Sequence, residues 1–150
     1  MRNARRIFFQ FLQIAKSVLF ALVLSVLGGI IFPSSAKAAE CIFATTEGTN
    51  SFNVDANWDC GHVPTNTDNA TIPLAETVNV LSSVEIGGLS VVGTLHGMVG
   101  ATFDVTGSAT ISGTGLVDAE TGSNIRFLGA LVSNNGMIKT LGGTILFNNS

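Results

Sequence analysis

The sequence predicts an all-β fold, a β-solenoid with about 20–22 residues per coil. Three observations lead there. Short runs of alternating apolar residues fill the second half of the chain, and no window in it has helical periodicity. Residue classes recur at a nearly fixed spacing. Gly, Asn and Ser punctuate the runs where the chain must change direction.

The recurrence decides between architectures. Thr102-Phe103-Asp104-Val105, Asn124-Ile125-Arg126-Phe127 and Thr144-Ile145-Leu146-Phe147 align with one another, each one coil further along the chain. The alignment stacks Phe103, Ile125 and Ile145 in one column, and Val105, Phe127 and Phe147 in another. The same spacing sets Gly115-Leu116 over Met137-Ile138 and Leu89 over Ile111. One coil cannot bury its inward residues alone, but stacked coils bury them as columns, with strands about 4.8 Å apart. A Greek-key sandwich would also separate its strands by turns, yet its strands need not repeat residue type in register.

Taken in order, residues 1–38 read as a secretory signal. Arg2, Arg5, Arg6 and Lys16 form a positive region, and Val18–Phe32 is an uncharged run. Pro33 breaks it, and Ala36-Lys37-Ala38 offers the small-x-small pattern before a cleavage point. The run is short for a membrane span of about 20 residues. Membrane association is therefore expected only during export, and the location is secreted or cell-surface.

Residues 39–69 are polar and irregular and read as an N-terminal cap. Cys41 and Cys60 are the only cysteines of the chain. An even pair in an exported protein implies a disulfide.

Residues 70–150 read as solenoid. The expected strands are Thr71-Ile72, Thr77–Leu81, Val84–Ile86, Leu89–Val92, Thr102–Val105, Ala109–Ile111, Gly115–Val117, Asn124–Leu128, Ala130–Val132, Met137–Thr140 and Thr144–Phe147. Gly93, Gly107, Gly113, Gly129, Gly136 and Gly143 fall at corners, where φ > 0 costs Gly nothing. The sequence reaches Ser150 in mid-coil. An open end of that kind is followed by further coils or pairs with another copy.

Charge excludes some partners. Five of the seven basic residues lie within 1–38, and all ten acids lie beyond it. Residues 39–150 thus carry two bases against ten acids, a net charge of −8. Such a domain cannot present the basic face that nucleic acid or an anionic lipid surface requires.

Asn57-Trp58-Asp59-Cys60-Gly61-His62-Val63-Pro64-Thr65-Asn66-Thr67-Asp68-Asn69-Ala70-Thr71-Ile72 resembles the NW-x-x-G-x-VP-x-x-x-D-x-x-x-I segment of bacterial secreted and surface β-solenoid repeat proteins. These include autotransporter-like and adhesin-like chains. Their G-x-L-x-V coils have a counterpart in Gly87-Gly88-Leu89-Ser90-Val91. The resemblance covers residues 41–150 and implies a right-handed β-helix, a bacterial origin and a surface or extracellular location. Those relatives are usually several hundred residues long. In physical terms the motif reads as a cap. Trp58 covers the apolar end of the first coil, Pro64 fixes the entry into it, and Asp68 satisfies turn N–H groups. The site residues assigned are structural: Cys41 and Cys60 as a disulfide, and Trp58, Gly61, Pro64 and Asp68 as the cap motif.

Catalytic and metal chemistry find little to work with. Asp55-x-Asn57-x-Asp59 begins like a calcium loop, but Cys60 stands where Gly is needed and Asn66 where the bidentate acid is needed. An oxygen cluster of Asp55, Asp59 and Asp68 and a merely hydrated turn both remain open. His62 and His96 stand far apart in the sequence and lack companions for a zinc or catalytic set. His96 is expected at a coil corner. Asp104 alternates with the inward Phe103 and Val105, so it points outward, and one coil on it meets Arg126 as an ion pair. Asp118 is expected near Thr140. No nucleophile–base–stabiliser set results, so the reading is non-enzymatic, with no cofactor and no metal. The expected function is a structural stalk or adhesin segment whose partner is a surface glycan or a ligand on a host or neighbouring cell. Two alternatives stand beside it: a carbohydrate-binding or polysaccharide-cleaving β-helix, and a filament subunit that self-associates through the open solenoid end.

Overall fold

A computed structural model describes residues 37–45, 48–129 and 131–148. Nearly all of the proposed signal segment, residues 1–36, lies outside the described residues.

The chain is a β-solenoid of about four turns. Its strands are β1 (Glu40–Ile42), β2 (Asn69–Ile72), β3 (Thr77–Val80), β4 (Val84–Ile86), β5 (Gly88–Val91), β6 (Thr94–Gly97), β7 (Thr102–Val105), β8 (Ala109–Ile111), β9 (Leu116–Glu120), β10 (Asn124–Phe127), β11 (Leu131–Asn134), β12 (Met137–Leu141) and β13 (Thr144–Phe147). They form three parallel sheets, ordered β1-β2-β5-β8-β11, β3-β6-β9-β12 and β4-β7-β10-β13. Each full coil gives one strand to each sheet. Parallel pairing follows from this topology, because each strand meets its neighbour only after a full circuit of the coil.

The inward columns form the core. Phe103 pairs with Ile125 and Ile125 with Ile145, while Val105, Phe127 and Phe147 form the adjacent column. On the second sheet Val78, Leu95, Val117 and Ile138 line up. Ile72, Ile86, Val91, Leu95, Val105, Ile111, Val117 and Ile125 are all fully buried. Alternation within each strand sets this: in β7, Phe103 and Val105 are buried and Asp104 is not.

The registers expected among β7, β10 and β13 hold. Two others differ. Leu116 pairs with Met137 and Val117 with Ile138, one residue away from the expected alignment. Leu89 pairs with Ala109, so Val91 and not Leu89 stands over Ile111. The first slip matters, because one residue exchanges the two faces of a strand. Leu116 and Met137 consequently point outward. Coil length varies because the corners vary. Between the first and second sheets they hold four residues after β2 and β8 but two after β5 and β11.

The corner glycines serve a purpose other than the expected one. Among the described residues, positive φ occurs at Ala75 and at Gly48, Gly61, Gly100, Gly122 and Gly142, and at none of the six corner positions named from the sequence. At five of those six the coils approach too closely for a side chain. A Cβ on Gly107 would sit 2.3 Å from the Gly87 carbonyl oxygen, and one on Gly129 would sit 2.1 Å from that of Gly107. Gly87, Gly107 and Gly129 thus form a column of backbone-on-backbone contact. Gly113 is the exception, with its nearest heavy atom 3.9 Å away.

The segment expected to be irregular is more ordered than its composition suggests. Its described residues contain a 3₁₀ turn at Asp55–Asn57, and they extend two of the sheets. β1 pairs in parallel with β2. Ser51 bridges Asn79 of β3 in parallel, with Phe52 N–H donating to the Asn79 carbonyl at 2.9 Å. Strand edges that would otherwise be open are thereby paired.

Candidate functional site

The cap is built around a disulfide and an aromatic stack. Cys41 and Cys60 are bonded, with Cα atoms 5.1 Å apart. Trp58 is buried edge-on to Phe43 at 5.2 Å and to Phe52 at 4.7 Å. Its indole N–H donates to the Phe52 carbonyl at 2.8 Å, so the buried polar edge is satisfied. Phe52 in turn meets Phe103 at 5.2 Å. The plug of the first coils is therefore Phe52, with Trp58 backing it. Phe52 was not legible as a core residue because it stands in a polar stretch without periodicity.

Gly61 has φ +78°, the left-handed region that favours Gly, and turns the chain back after Cys60. Pro64 is buried. Asp68 is the acceptor hub of the turn. It receives the Thr65 hydroxyl at 2.7 Å, the Thr65 N–H at 2.9 Å and the Ala39 N–H at 3.3 Å, and His62 Nε2 lies 3.2 Å away. The Thr65 hydroxyl above all, then the Thr65 N–H, His62 and the Ala39 N–H, lower its pKa from 3.8 to about 2, against an opposing desolvation.

Asp55 and Asp59 do not join Asp68. Asp55 accepts the Val63 N–H at 2.7 Å, and Asp59 accepts the Ile42 N–H at 2.6 Å. The three carboxylates are spent on separate backbone donors. The one ligand-type cluster among the described residues is Cys41, Cys60 and His62, whose sulfur and nitrogen atoms lie within 4.8 Å of one another.

Two charged groups stand on the outer faces. On the third sheet Arg126 grips Asp104 with two donors, Nε to Oδ1 at 2.6 Å and Nη2 to Oδ2. This is the cross-coil pair the spacing predicted. The Asp104 carboxylate, with Glu85 beyond it, raises the guanidinium pKa. The pair borders an open groove of about 300 Å³ lined by Ser83, Val84, Glu85, Thr102, Asp104 and Arg126.

The other group was missed from the sequence. His96 lies within β6 and not at a corner, and it pairs in register with Asp118, which pairs with Lys139. His96 Nδ1 contacts Asp118 Oδ1, His96 Nε2 is 3.0 Å from Glu120 Oε1, and Lys139 Nζ is 3.3 Å from Asp118 Oδ2. Asp118 is buried between its two neighbours and faces Lys139 instead of the expected Thr140. The signal was available: the offset that aligns Phe103 with Ile125 also carries His96 onto Asp118. The cluster can hold charge across three coils, but no hydroxyl or thiol nucleophile belongs to it.

No family model, curated protein or solved structure matches this chain.

Proposed function

We propose that this chain is a structural segment of an exported cell-surface or secreted solenoid protein, a stalk or adhesin-type rod without catalytic activity. The observation that carries the reading is the division of labour in the coils. Inward positions are filled by continuous apolar columns. Outward columns carry polar side chains one coil apart, such as Thr71, Ser90, Thr110 and Ser133 on the first sheet, although Leu116 and Met137 point outward on the second. Such a body is stiff because each coil is hydrogen-bonded to the next, and its faces are free to present groups to a ligand. The disulfide agrees with an exported location.

The deciding experiment is cell fractionation with the intact mass of the recovered protein. The expected product starts at Ala39, lacks two hydrogens for the disulfide, and sits in the surface or supernatant fraction. Recovery from the cytosol with residues 1–38 retained and the cysteines reduced would overturn the reading. The groove beside Asp104 and Arg126 favours a second reading, carbohydrate binding, because acids, a guanidinium and hydroxyls line it together. A glycan array probed with wild type and Arg126→Ala tests that reading, and binding that ignores the substitution removes it.

A further inference from the structure

We propose that reduction of the Cys41–Cys60 disulfide opens a site for a soft divalent cation of the zinc type, with both thiolates and His62 as ligands. The proposal is independent of the surface-stalk reading.

Ligand placement comes first. The two sulfurs and a ring nitrogen of His62 already lie within 4.8 Å of one another. A zinc ion with Zn–S distances of about 2.3 Å places two thiolates roughly 3.8 Å apart in a tetrahedron. Cysteines whose Cα atoms are 5.1 Å apart can span that separation by side-chain rotation. Cys41 is buried, Cys60 is half-buried and the His62 side chain is 46% exposed, so cation and reductant approach from the His62 side.

The two cysteines are held opposite each other by more than their own bond. Cys41 sits within the β1–β2 ladder, across from Ala70. Asp59 N–H donates to the Ile42 carbonyl at 3.1 Å, and the Asp59 carboxylate accepts the Ile42 N–H at 2.6 Å. Phe43 bridges Trp58, and Gly61 N–H donates to the Trp58 carbonyl at 3.0 Å. These contacts flank both cysteines and involve neither sulfur. Cleaving the disulfide therefore leaves two thiols facing each other.

His62 is held beside the cysteines through both ring nitrogens. Its Nε2 is 3.2 Å from Asp68 Oδ2, and its Nδ1 is 3.2 Å from the Cys60 carbonyl oxygen, an acceptor that Nδ1 must turn away from before it can bind a cation. A carboxylate that accepts the outer N–H of an imidazole fixes the tautomer and turns the other nitrogen toward a metal. Asp68 is itself fixed by Thr65 and Ala39.

The chemistry balances with a thiol reductant. Two thiol molecules, R–SH, convert the protein disulfide to two cysteine thiols and leave as R–S–S–R. The cation then displaces one proton from each thiol. Two thiolates neutralise its double charge, neutral His62 Nδ1 is the third ligand, and water takes the fourth position.

The test uses purified protein reduced with a phosphine, freed of reductant without air, and titrated with Co²⁺ and then Zn²⁺. One Co²⁺ per reduced chain is expected, with tetrahedral d–d absorption and a thiolate-to-cobalt charge-transfer band that Zn²⁺ abolishes. The oxidised protein should give neither band. His62→Ala should lose the tetrahedral spectrum, and Asp68→Asn should bind about 10–100-fold more weakly. Circular dichroism and Trp58 emission follow the fold throughout. If reduction alone unfolds the cap, Zn²⁺ should restore it. A folded reduced protein without the charge-transfer band, a His62→Ala spectrum like that of wild type, or an unfolded reduced protein that Zn²⁺ fails to refold would each overturn the proposal.

Discussion

Gly107→Ala tests the stacking principle of the solenoid at one atom. The added Cβ would lie 2.3 Å from the Gly87 carbonyl oxygen and 3.1 Å from its carbon. Both distances are well inside ordinary van der Waals contact, so the two coils must separate locally. The oxygen in question already accepts the Gly107 N–H at 2.5 Å, and the adjacent Thr106 N–H donates to Ile86 at 2.9 Å. Neither strand end can move without lengthening these bonds. Overpacking costs about 1–3 kcal/mol, and each weakened hydrogen bond adds up to about 1 kcal/mol. The loss of unfolded-state freedom returns about 0.4–1 kcal/mol. The net expectation is destabilisation by about 2–3 kcal/mol. With a urea slope of about 2 kcal/mol/M, the midpoint falls by roughly 1–1.5 M. Gly113→Ala is the matched control, because its Cβ meets nothing closer than 3.9 Å and its φ is not positive. It should change stability by less than about 0.5 kcal/mol. Equal midpoints for the two variants, followed by Trp58 emission and circular dichroism together, would refute the reasoning.

Other expectations are equally direct. Phe52→Ala removes the ring that joins Trp58 to Phe103 and should cost about 3–5 kcal/mol in chemical denaturation, with a shift in Trp58 emission. Asp68 has a lowered pKa in the fold, so its contribution is full above the ordinary carboxylate range and is lost as pH falls from about 4 through 2. Asp68→Asn should therefore flatten the acid limb of the stability curve over that window, while a variant as steep as wild type would dismiss this role. The double substitution Cys41→Ser/Cys60→Ser should lower stability by about 3 kcal/mol in the chain-entropy account, given a sequence separation of 19. Melting of the oxidised and double-variant proteins side by side measures it.

The parts legible in the sequence were those where residue class and spacing repeat together. Phe103, Ile125 and Ile145 announce their column because all are large and apolar and recur once per coil. The Asp104–Arg126 pair followed from the same alignment one residue on. Registers failed where corners change length. The interval from Leu116 to Met137 is one residue shorter than that from Phe103 to Ile125, and the apolar pattern there fits either face. β1 was hidden because Glu40-Cys41-Ile42 is too short for a period, and its partner, β2, begins only at Asn69, at the far end of the cap. His96 and Asp118 each look isolated when read alone. In a solenoid, polar outward residues one coil apart are neighbours just as apolar inward ones are, and only the offset reveals it. The corner glycines were recognised as necessary, but for conformational freedom. The cause is contact between backbones of successive coils, which a single-strand view cannot supply.

The alternation of corner length has a consequence for how the fold can be altered. After β2 and β8 the chain spends four residues before the next strand, and after β5 and β11 it spends two, yet the strands on either side stay paired. The scaffold thus tolerates two extra residues at this edge without shifting the ladder. A peptide epitope or tag spliced in between Val92 and Gly93, with Gly93 itself retained, would be displayed at the rim, one coil rise from its neighbours, with the apolar columns undisturbed. The two-residue corners can lengthen only outward, because Gly93 and Gly136 within them pack too closely on the neighbouring corner for a side chain, and the glycine column along another edge marks a second line of such contact.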